Sequence, residues 1–458
     1  MMKPTVILCF FVFVFFAAAE GAGLYDPWPQ GPSSDPNYFP LGVWLQSPAD
    51  AVLYQQAGIN FYDGLWEGPT VSQLETLKTA QMQTVCDLND TALQYKHVTL
   101  TDGRPLIMGY SHYGEPDNMQ PNPEGGLNLP ISTSVVQSSY FNIKNLDPSR
   151  PVFLNLSQGI GNDSGTWVGQ GGYIVPDRDY PEYILGSDVI SFDIYPMDCD
   201  RPNTCQDAWR VALGVDHLFG YAPQGHIVWN TIETSDICGN DRQATVEEIR
   251  AEVWMSIIHG AKGLTYFIHG KTSIKDFDYR AILRPENADR LAGFTQINHQ
   301  VQSLAPVIHS PDQNHLAVMQ TLEGESPVDF AVKVYEGATY IFSVSMRQPQ
   351  TTKRFQVKSI PDSSVEVLGE DRTLSLTEGT FSDTFTGYEA HLYKIDAVPV
   401  LGDLDLDRRV DFSDFGRFAG SWMSLGGQEV WQWNADLFPD EAGRIDLCDL
   451  VVLAEHWG

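Results

Sequence analysis

The chain has 458 residues, more than one compact core usually contains, so two or three domains are expected. Hydrophobic residues make up 43% and aromatic residues 12%, as in a globular rather than a disordered protein. A net charge of −31 disfavours nucleic acid as a partner. The same net charge argues only weakly against anionic sugars as substrates, because the electrostatic potential in a cleft can be positive even when the whole protein is negative.

Residues 1–19 have the form of a secretion signal. Lys3 precedes the apolar run 6–16, and three alanines at 17–19 supply small residues for cleavage. The run is short for a membrane span, so an N-terminal anchor is only the alternative interpretation. We therefore expect an exported protein without a membrane span, either secreted or attached to the cell surface.

The chain has six cysteines, and Cys9 falls within the signal. The remaining five are an odd number. Two of the three residues Cys199, Cys205 and Cys238 are candidates to pair, because the first two share a loop and the third follows a strand end. Their connectivity cannot be deduced from the sequence, and their spacing fits no zinc motif.

Eight apolar runs alternate with helical stretches over residues 20–306. This alternation predicts a (β/α)8 barrel, whose active site lies at the C-terminal strand ends. The predicted strands are Phe39–Gln46, Ile59–Asp63, Gln83–Leu88, a fourth ending at Glu115, Val152–Leu156, Val189–Tyr195, Ile227–Glu233 and Gly263–Ile268. Predicted helices include 48–57, 133–145, 245–259 and 286–303, and Thr245 with Glu248 is expected to cap the third of these.

The pattern changes at residue 307. Short alternating runs separated by turns predict a β-sandwich over residues 307–396. The predicted strands are His315–Leu322, Val328–Tyr335, Thr339–Val344, Arg354–Val357, Val365–Leu368, Thr373–Leu376 and Ala390–Ile395. We expect this domain to be structural, with accessory sugar binding as the alternative.

Residues 402–458, after a short hinge, form a tandem repeat of two acidic loops, each leading into an amphipathic helix. The first loop places carboxylates at positions 1, 3, 5, 9 and 12, which is calcium-loop spacing. Arg408 stands where an EF-hand has Gly, and the last position carries Asp rather than Glu. The predicted metal ligands are Asp403, Asp405, Asp407, Asp411 and Asp414 in the first loop, and Asp436, Asp440, Asp446 and Asp449 in the second.

This repeat resembles a dockerin type I module, because Trp422 and Trp457 recur in phase with the loops. The resemblance implies a small all-α domain that binds structural calcium. It also implies a cohesin-like partner, although attachment to the cell surface or an unknown receptor is equally open. A solvated acidic linker is the alternative interpretation of the segment.

Two glutamates, at the ends of the fourth and seventh predicted strands, point to chemistry. Glu115 closes the run 105–116, and Glu233 closes the run 226–234. Enzymes cleave a glycosidic bond with two carboxyl groups. One protonates the leaving oxygen, and the other, as a carboxylate, acts on the positively charged anomeric centre. Tyr110 and Tyr113 give Glu115 an aromatic setting that would raise its pKa, as a general acid requires. Polar neighbours would keep Glu233 ionised.

At these two positions the chain resembles the retaining glycoside hydrolases of clan A, which are (β/α)8 barrels. The runs GYSHYGEPD and HIVWNTIETSD occupy the places of that clan's acid/base and nucleophile. The resemblance covers roughly residues 39–305. It departs at Gly114, where many members carry the Asn that holds the sugar 2-hydroxyl. The sandwich also resembles the domain that follows such barrels, and catalysis in the clan needs no cofactor.

Further residues at strand ends are candidates for substrate contact or orientation. Tyr195 is predicted to donate a hydrogen bond to Glu233 and so orient the nucleophile. Aromatic faces stack on sugars and amides fix hydroxyl groups, although packing is the commoner role for any one such residue. The predicted substrate contacts are Trp44, Gln46, Trp66, Tyr110, His112, Asn155, Asp193, Trp229, Asn230 and His269.

The sequence therefore predicts a secreted retaining β-glycoside hydrolase that cleaves a polysaccharide, with a β-glucan or an algal galactan as examples from the resemblance alone. One alternative is a non-catalytic carbohydrate-binding protein on a barrel scaffold, which the glycine at 114 keeps open. The other is an inverting hydrolase or a lyase that uses other carboxylates, such as Asp63, Glu67 or Asp87.

Overall fold

The computed structural model describes residues 23–162, 173–197, 207–234, 236, 242–271, 277–426, 432–438 and 443–457. The predicted signal, the three cysteines at 199, 205 and 238, and Asp440 lie outside these ranges. Within them, no helix has both the length and the apolar character needed to cross a membrane.

Eight parallel strands form a barrel, as predicted. They are β1 Leu41–Trp44, β2 Phe61–Asp63, β3 Gln83–Asp87, β4 Ile107–Gly114, β5 Val152–Leu156, β6 Val189–Phe192, β7 Ile227–Val228 with Asn230–Glu233, and β8 Leu264–Phe267. The first part of β7 pairs with β6, and its second part pairs with β8. Because β8 also pairs with β1, the sheet closes on itself.

Helices follow the strands around the outside of the barrel, with a further pair at the end of the chain. The α-helices are α1 Ala51–Gln56, α2 Val71–Thr79, α3 Asp90–Tyr95, α4 Thr133–Leu146, α5 Asp179–Ile184, α6 Trp209–Tyr221, α7 Val246–Ile258, α8 Ala288–Ser303, α9 Ala305–His309, α10 Phe412–Gly420 and α11 Leu447–Glu455. The predicted start of α7 is confirmed, since Thr245 accepts from the Glu248 N–H and the Glu248 side chain accepts from the Thr245 N–H.

The lower part of the barrel interior is filled by side chains. Phe61, Phe153 and Trp229 pack together in a buried cluster, with ring centroids 4.8 to 5.2 Å from the indole of Trp229. The indole N–H donates to the hydroxyl of Tyr25 at 3.0 Å, and that hydroxyl donates to the Lys262 carbonyl. The lead-in segment thus helps to seal the lower end of the barrel, and a cavity can open only above Trp229.

The chain after the barrel forms two antiparallel sheets. Their strands are β9 Ala317–Glu323, β10 Val328–Tyr335, β11 Ala338–Ser345, β12 Thr351–Val357, β13 Ser363–Val367, β14 Arg372–Leu376, β15 Thr380–Phe385 and β16 Ala390–Ile395. The three-stranded sheet has the order β9-β12-β15, and the five-stranded sheet has the order β10-β11-β16-β13-β14. The sheets share a buried cluster in which Phe355 and Phe381 contact Tyr393. Strand β15 was not predicted from the sequence.

The other face of the five-stranded sheet packs on the barrel. Phe342 of β11 lies against the fully buried Trp254 of α7, with ring centroids 5.0 Å apart. His259, at the C-terminal end of α7, contacts Asp216 of α6 at 2.8 Å and Asp329 of β10 at 3.1 Å. A helix of the barrel is therefore bonded directly to the second domain.

The end of the chain folds as two similar units around a small buried cluster. The cluster contains Val410 and Phe418 from the first unit and Ile445 and Leu453 from the second. This tail also contacts the domain that the two antiparallel sheets form. There, the ammonium group of Lys358 donates to the Asp436 carbonyl at 2.5 Å. The acidic repeat is thus held against its neighbouring domain.

Candidate active site

A cavity of about 430 Å³ opens at the C-terminal ends of the barrel strands, above the floor made by Trp229. Four carboxyl groups line it: Asp63, Asp87, Glu115 and Asp193. Aromatic side chains line it too, namely Trp44, Tyr113, Tyr195 and Phe267. Carboxyl groups beside flat apolar surfaces are the composition expected of a pocket for a sugar.

Glu115 lies one residue beyond β4, and local backbone strain fixes its position. Its φ is +48° and that of Tyr113 is +46°, both in the left-handed region that non-glycine residues seldom adopt. The Glu115 N–H donates to the Asn155 carbonyl at 3.0 Å, which ties the turn to β5. The Asn118 amide donates to Glu115 Oε2 at 2.9 Å. Asn118 was not among the predicted site residues, although it follows Glu115 by only three positions.

Asp193 forms a hydrogen-bonded carboxyl pair with Glu115. It is buried, and its carboxylate accepts from Asn155 Nδ2 at 2.6 Å and from the Tyr195 hydroxyl. Burial raises the pKa of Asp193 well above its usual value, and the nearby Glu115 charge raises it further. Burial thus favours the neutral form of Asp193, and its hydrogen bond to Glu115 gives that proton a path to the cavity.

The hydroxyl of Tyr195 has a different hydrogen-bond partner from the predicted one. It was predicted to donate to Glu233, but its hydrogen bond is with Asp193. β6 ends at Phe192, and the following turn brings the side chains of residues 193 and 195 together. Tyr195 therefore orients the buried partner of Glu115.

Glu233 ends β7 beside a cavity residue, but its carboxyl group does not line the described cavity. Its backbone pairs in register with Phe267, and Thr231, two residues earlier, faces the cavity. The side chain is fully buried, and Oε1 accepts from the Met197 N–H at 2.6 Å. In this conformation the predicted nucleophile lies under the turn that follows β6. Its role stays a prediction.

Asp63 is a further carboxyl group with unusual surroundings. It ends β2, accepts from the Thr265 hydroxyl at 3.0 Å and faces the cavity. Burial raises the pKa of Asp63 to about 6, with the hydrogen bond from Thr265 acting in the opposite direction. It can therefore exchange a proton near neutral pH. Glu67, the other rival carboxylate after this strand, is exposed and does not line the described cavity.

Half of the predicted substrate contacts line the cavity: Trp44, His112, Asn155, Asp193 and Trp229. The remaining five lie elsewhere within the described part of the chain: Gln46, Trp66, Tyr110, Asn230 and His269. Alternation along the strands accounts for two of these five. Tyr110 and Asn230 point outward, where they bond Asp147 and Ser256 on helices or their ends.

Each of the other three residues contacts protein groups near the mouth. Gln46 accepts from the Tyr54 hydroxyl at 2.5 Å. His269 lies 5.1 Å from Trp44 between ring centroids, so it supports a residue of the cavity wall. Trp66 is 59% exposed above α2, where a long glycan could still reach it. None of these placements tests substrate contact.

The first acidic loop of the tail fits a cation. Asp403, Asp405 and Asp414 each present an oxygen within 4.8 Å of the others. Asp405 Oδ1 is buried and has no hydrogen-bond partner among the residues that the structure describes, as expected of an atom placed for a metal. Asp407 and Asp411 are exposed, and their carboxylates accept from nearby backbone N–H groups.

Aspartates also cap the two tail helices in matching fashion. Asp411 and Asp446 are the N-cap residues, and Asp414 and Asp449 complete reciprocal capping boxes. Asp414 accepts from the Leu404 N–H at 2.6 Å, as Asp449 accepts from the Leu437 N–H at 2.6 Å. The repeat seen in the sequence is therefore a repeat in structure. Four of the nine predicted ligands thus have a capping role of their own.

The fold is similar to that of solved glycoside hydrolase structures, although no similarity is found at the level of sequence families. No protein family matches the sequence, and no curated protein does. A catalytic mutant of Gan42B, a GH42 β-galactosidase from G. stearothermophilus, is similar with a TM-score of 0.50 and 9% identity. The match covers 78% of this chain and 98% of that one. An α-amylase from Geobacillus thermoleovorans, complexed with acarbose, matches 78% of this chain and 98% of its own, with a TM-score of 0.46 and 10% identity. At such identities the likeness to Gan42B establishes the fold alone.

Proposed function

We propose that the protein is a secreted glycoside hydrolase of clan A that cleaves a polysaccharide with retention of configuration. The observation that carries this proposal is the Glu115–Asp193 pair at the mouth of the barrel, where two hydrogen-bonded carboxyl groups lie beside aromatic walls. The fold shared with a β-galactosidase supports it, because carbohydrate chemistry in such barrels takes place at this end. Catalysis needs no cofactor.

Glu115 acts as the acid and then the base. Both carboxyl groups border the cavity, but Asp193 is the more deeply buried of the two and holds the shared proton when no substrate is present. Glu115 passes this proton to the leaving oxygen of the glycosidic bond, and it later accepts one from the attacking water. Asn118 and Asn155 hold the two carboxyl groups in place during both steps.

Glu233 acts as the nucleophile. For the first displacement, its carboxylate enters the cavity beside Thr231 and Phe267 and bonds to the anomeric carbon, while the leaving oxygen takes the proton from Glu115. Water then releases the sugar from the ester. Substrate walls are supplied by Trp44 and Phe267, whose rings stack on each other 5.1 Å apart.

An inverting hydrolase is the second candidate, because Asp63 lines the cavity in this conformation and the Glu233 carboxyl does not. Asp63 would then activate a water molecule on the opposite face of the sugar. The anomeric configuration of the first product, followed by NMR on a polysaccharide panel, separates these two mechanisms. Retention supports Glu233, and inversion supports Asp63.

Two variants test the assignment of the carboxylates. Glu233→Gln is expected to abolish turnover with the fold intact, because an amide cannot form the glycosyl ester. Glu67→Gln, at an exposed carboxylate near the same opening, is the matched control and keeps wild-type turnover. If the Glu233→Gln variant kept about half of the wild-type rate, Glu233 would not be the nucleophile. Binding of a glycan without any turnover by the wild type would favour the non-catalytic carbohydrate-binding alternative.

We also propose that the tail binds calcium and docks the enzyme to a partner. The ligands would be Asp403, Asp405 and Asp414. Their converging carboxylate oxygens repel one another until a cation neutralises them. The partner is a cohesin-like protein or a cell-surface receptor. Calorimetry with Ca²⁺ on the full chain, with Asp405→Asn as the variant, tests the site. Equal heats for wild type and variant would reject it.

A further inference from the structure

Helix α7 carries a buried glutamate that the proposed mechanism does not use. Glu252 is 0% exposed, and no side chain among the described residues donates a hydrogen bond to either of its carboxyl oxygens. The helix is fixed to the barrel at this level. Ser256 donates to the Glu252 carbonyl at 2.8 Å and accepts from the Asn230 amide of β7 at 2.8 Å. The glutamate is thus held without room to reach solvent.

The group facing Glu252 from the barrel is the carboxyl of Glu233, which is also 0% exposed. Burial raises the pKa of Glu252 well above its usual value, and the charge of Glu233 raises it further. From its own helix Glu252 also faces Glu248, whose charge is matched by Arg242 at 2.7 Å. Two ionised carboxylates side by side in this closed space would repel each other strongly, whereas one neutral and one charged group can share a hydrogen bond.

We propose that Glu252 is a positioning residue that stays neutral and donates its O–H to the Glu233 carboxylate. The inference rests on the proposed function, in which Glu233 is the nucleophile. The Glu252 O–H then acts on Glu233 together with the Met197 N–H, which donates to it at 2.6 Å. Hydrogen bonds to the charged form favour it, so the buried nucleophile stays ionised before it enters the cavity.

The first test compares two replacements of Glu252 by their pH–rate profiles. Glu252→Met removes the donor at similar volume, so Glu233 takes up a proton more readily. The acid limb of kcat/KM should rise by about one pH unit, with rates about tenfold lower on that limb and normal rates above it. Glu252→Gln keeps a donor and should restore the wild-type acid limb. Profiles in which both variants lose the same fraction of rate at every pH would overturn the proposal.

The second test needs no substrate. Infrared spectra of the folded wild type should contain a carbonyl stretch of a protonated carboxyl group that Glu252→Gln removes. Asp193→Asn is the control, since it should remove a different protonated band and leave that of Glu252. An unchanged spectrum in Glu252→Gln would overturn the inference. If the wild type cleaves no glycan, the proposed function fails, and the infrared result still decides whether Glu252 is neutral.

Discussion

Replacing His259 should make the stability of the protein less sensitive to pH between neutral and alkaline conditions. The imidazole lies where α6, α7 and β10 meet, 2.8 Å from Asp216 and 3.1 Å from Asp329. Burial opposes its charged form, but the hydrogen bonds and charges of the two carboxylates outweigh this and raise the pKa of His259 to about 9, from a usual value of 6.5. His259→Gln removes the charge and keeps a polar side chain.

The magnitude follows from the shift in pKa. About 2.5 pH units correspond to about 3 kcal/mol of folding free energy at most. The side chain of Asp216 is 55% exposed and that of Asp329 is 40% exposed, so solvent screening reduces the contribution to about 1–2 kcal/mol. Because the pKa is raised on folding, this stability is fully present below pH 6.5 and is lost as the pH rises through 9.

Urea denaturation, followed by tryptophan fluorescence from pH 5.5 to 10, measures this effect. The difference between wild type and His259→Gln should be largest below pH 6.5 and should shrink toward zero above pH 9. His456→Gln, on the exposed end of α11, is the control and should show no such trend. A difference that stays constant across the whole range would refute the reasoning, because it would reflect packing rather than charge.

Other expected outcomes concern packing, capping, proton sharing and metal. Trp254→Ala should lower the free energy of unfolding by about 3–5 kcal/mol in chemical denaturation, because a buried ring against Phe342 is lost. Thr245→Ala should cost about 1 kcal/mol in the same assay, through loss of the α7 cap. Asp193→Asn should slow hydrolysis of a polysaccharide more than that of an activated aryl glycoside, because the buried carboxyl group that supplies a proton to Glu115 is lost. A calcium chelator should reduce the helical circular dichroism of the tail without reducing hydrolysis of a soluble glycan, and an unchanged spectrum would reject structural calcium.

Local patterns were sufficient to predict the barrel. Each buried parallel strand is a short apolar run, and the bounds of β5 were predicted to the residue. The capping box at Thr245 likewise needs only neighbours in the sequence. Strand β15 was missed because Phe381 and Phe385 alternate with Ser, Asp and Thr, which also suit a turn. Its pairing with β12 depends on a partner about thirty residues away.

The site could be predicted only as far as backbone position goes. The end of β4 placed Glu115 at the barrel mouth, where the structure has it. The direction of the Glu233 side chain depends on the turn at 193–197, which brings the Met197 N–H to it from another strand. The hydrogen bond of Tyr195 to Asp193 depends on the same turn. Such contacts between loops leave no periodic signal in the sequence.

The most direct measurement is the release of reducing ends from a panel of polysaccharides by wild type and by Glu115→Gln. We expect the wild type to cleave at least one glycan, and we expect Glu115→Gln, matched to it in shape but unable to deliver a proton, to be slower by about a hundredfold or more. The same variant should still cleave activated aryl glycosides in the first step. Equal rates for the two proteins on the polysaccharide would contradict the central claim that Glu115 is the acid of a glycoside hydrolase.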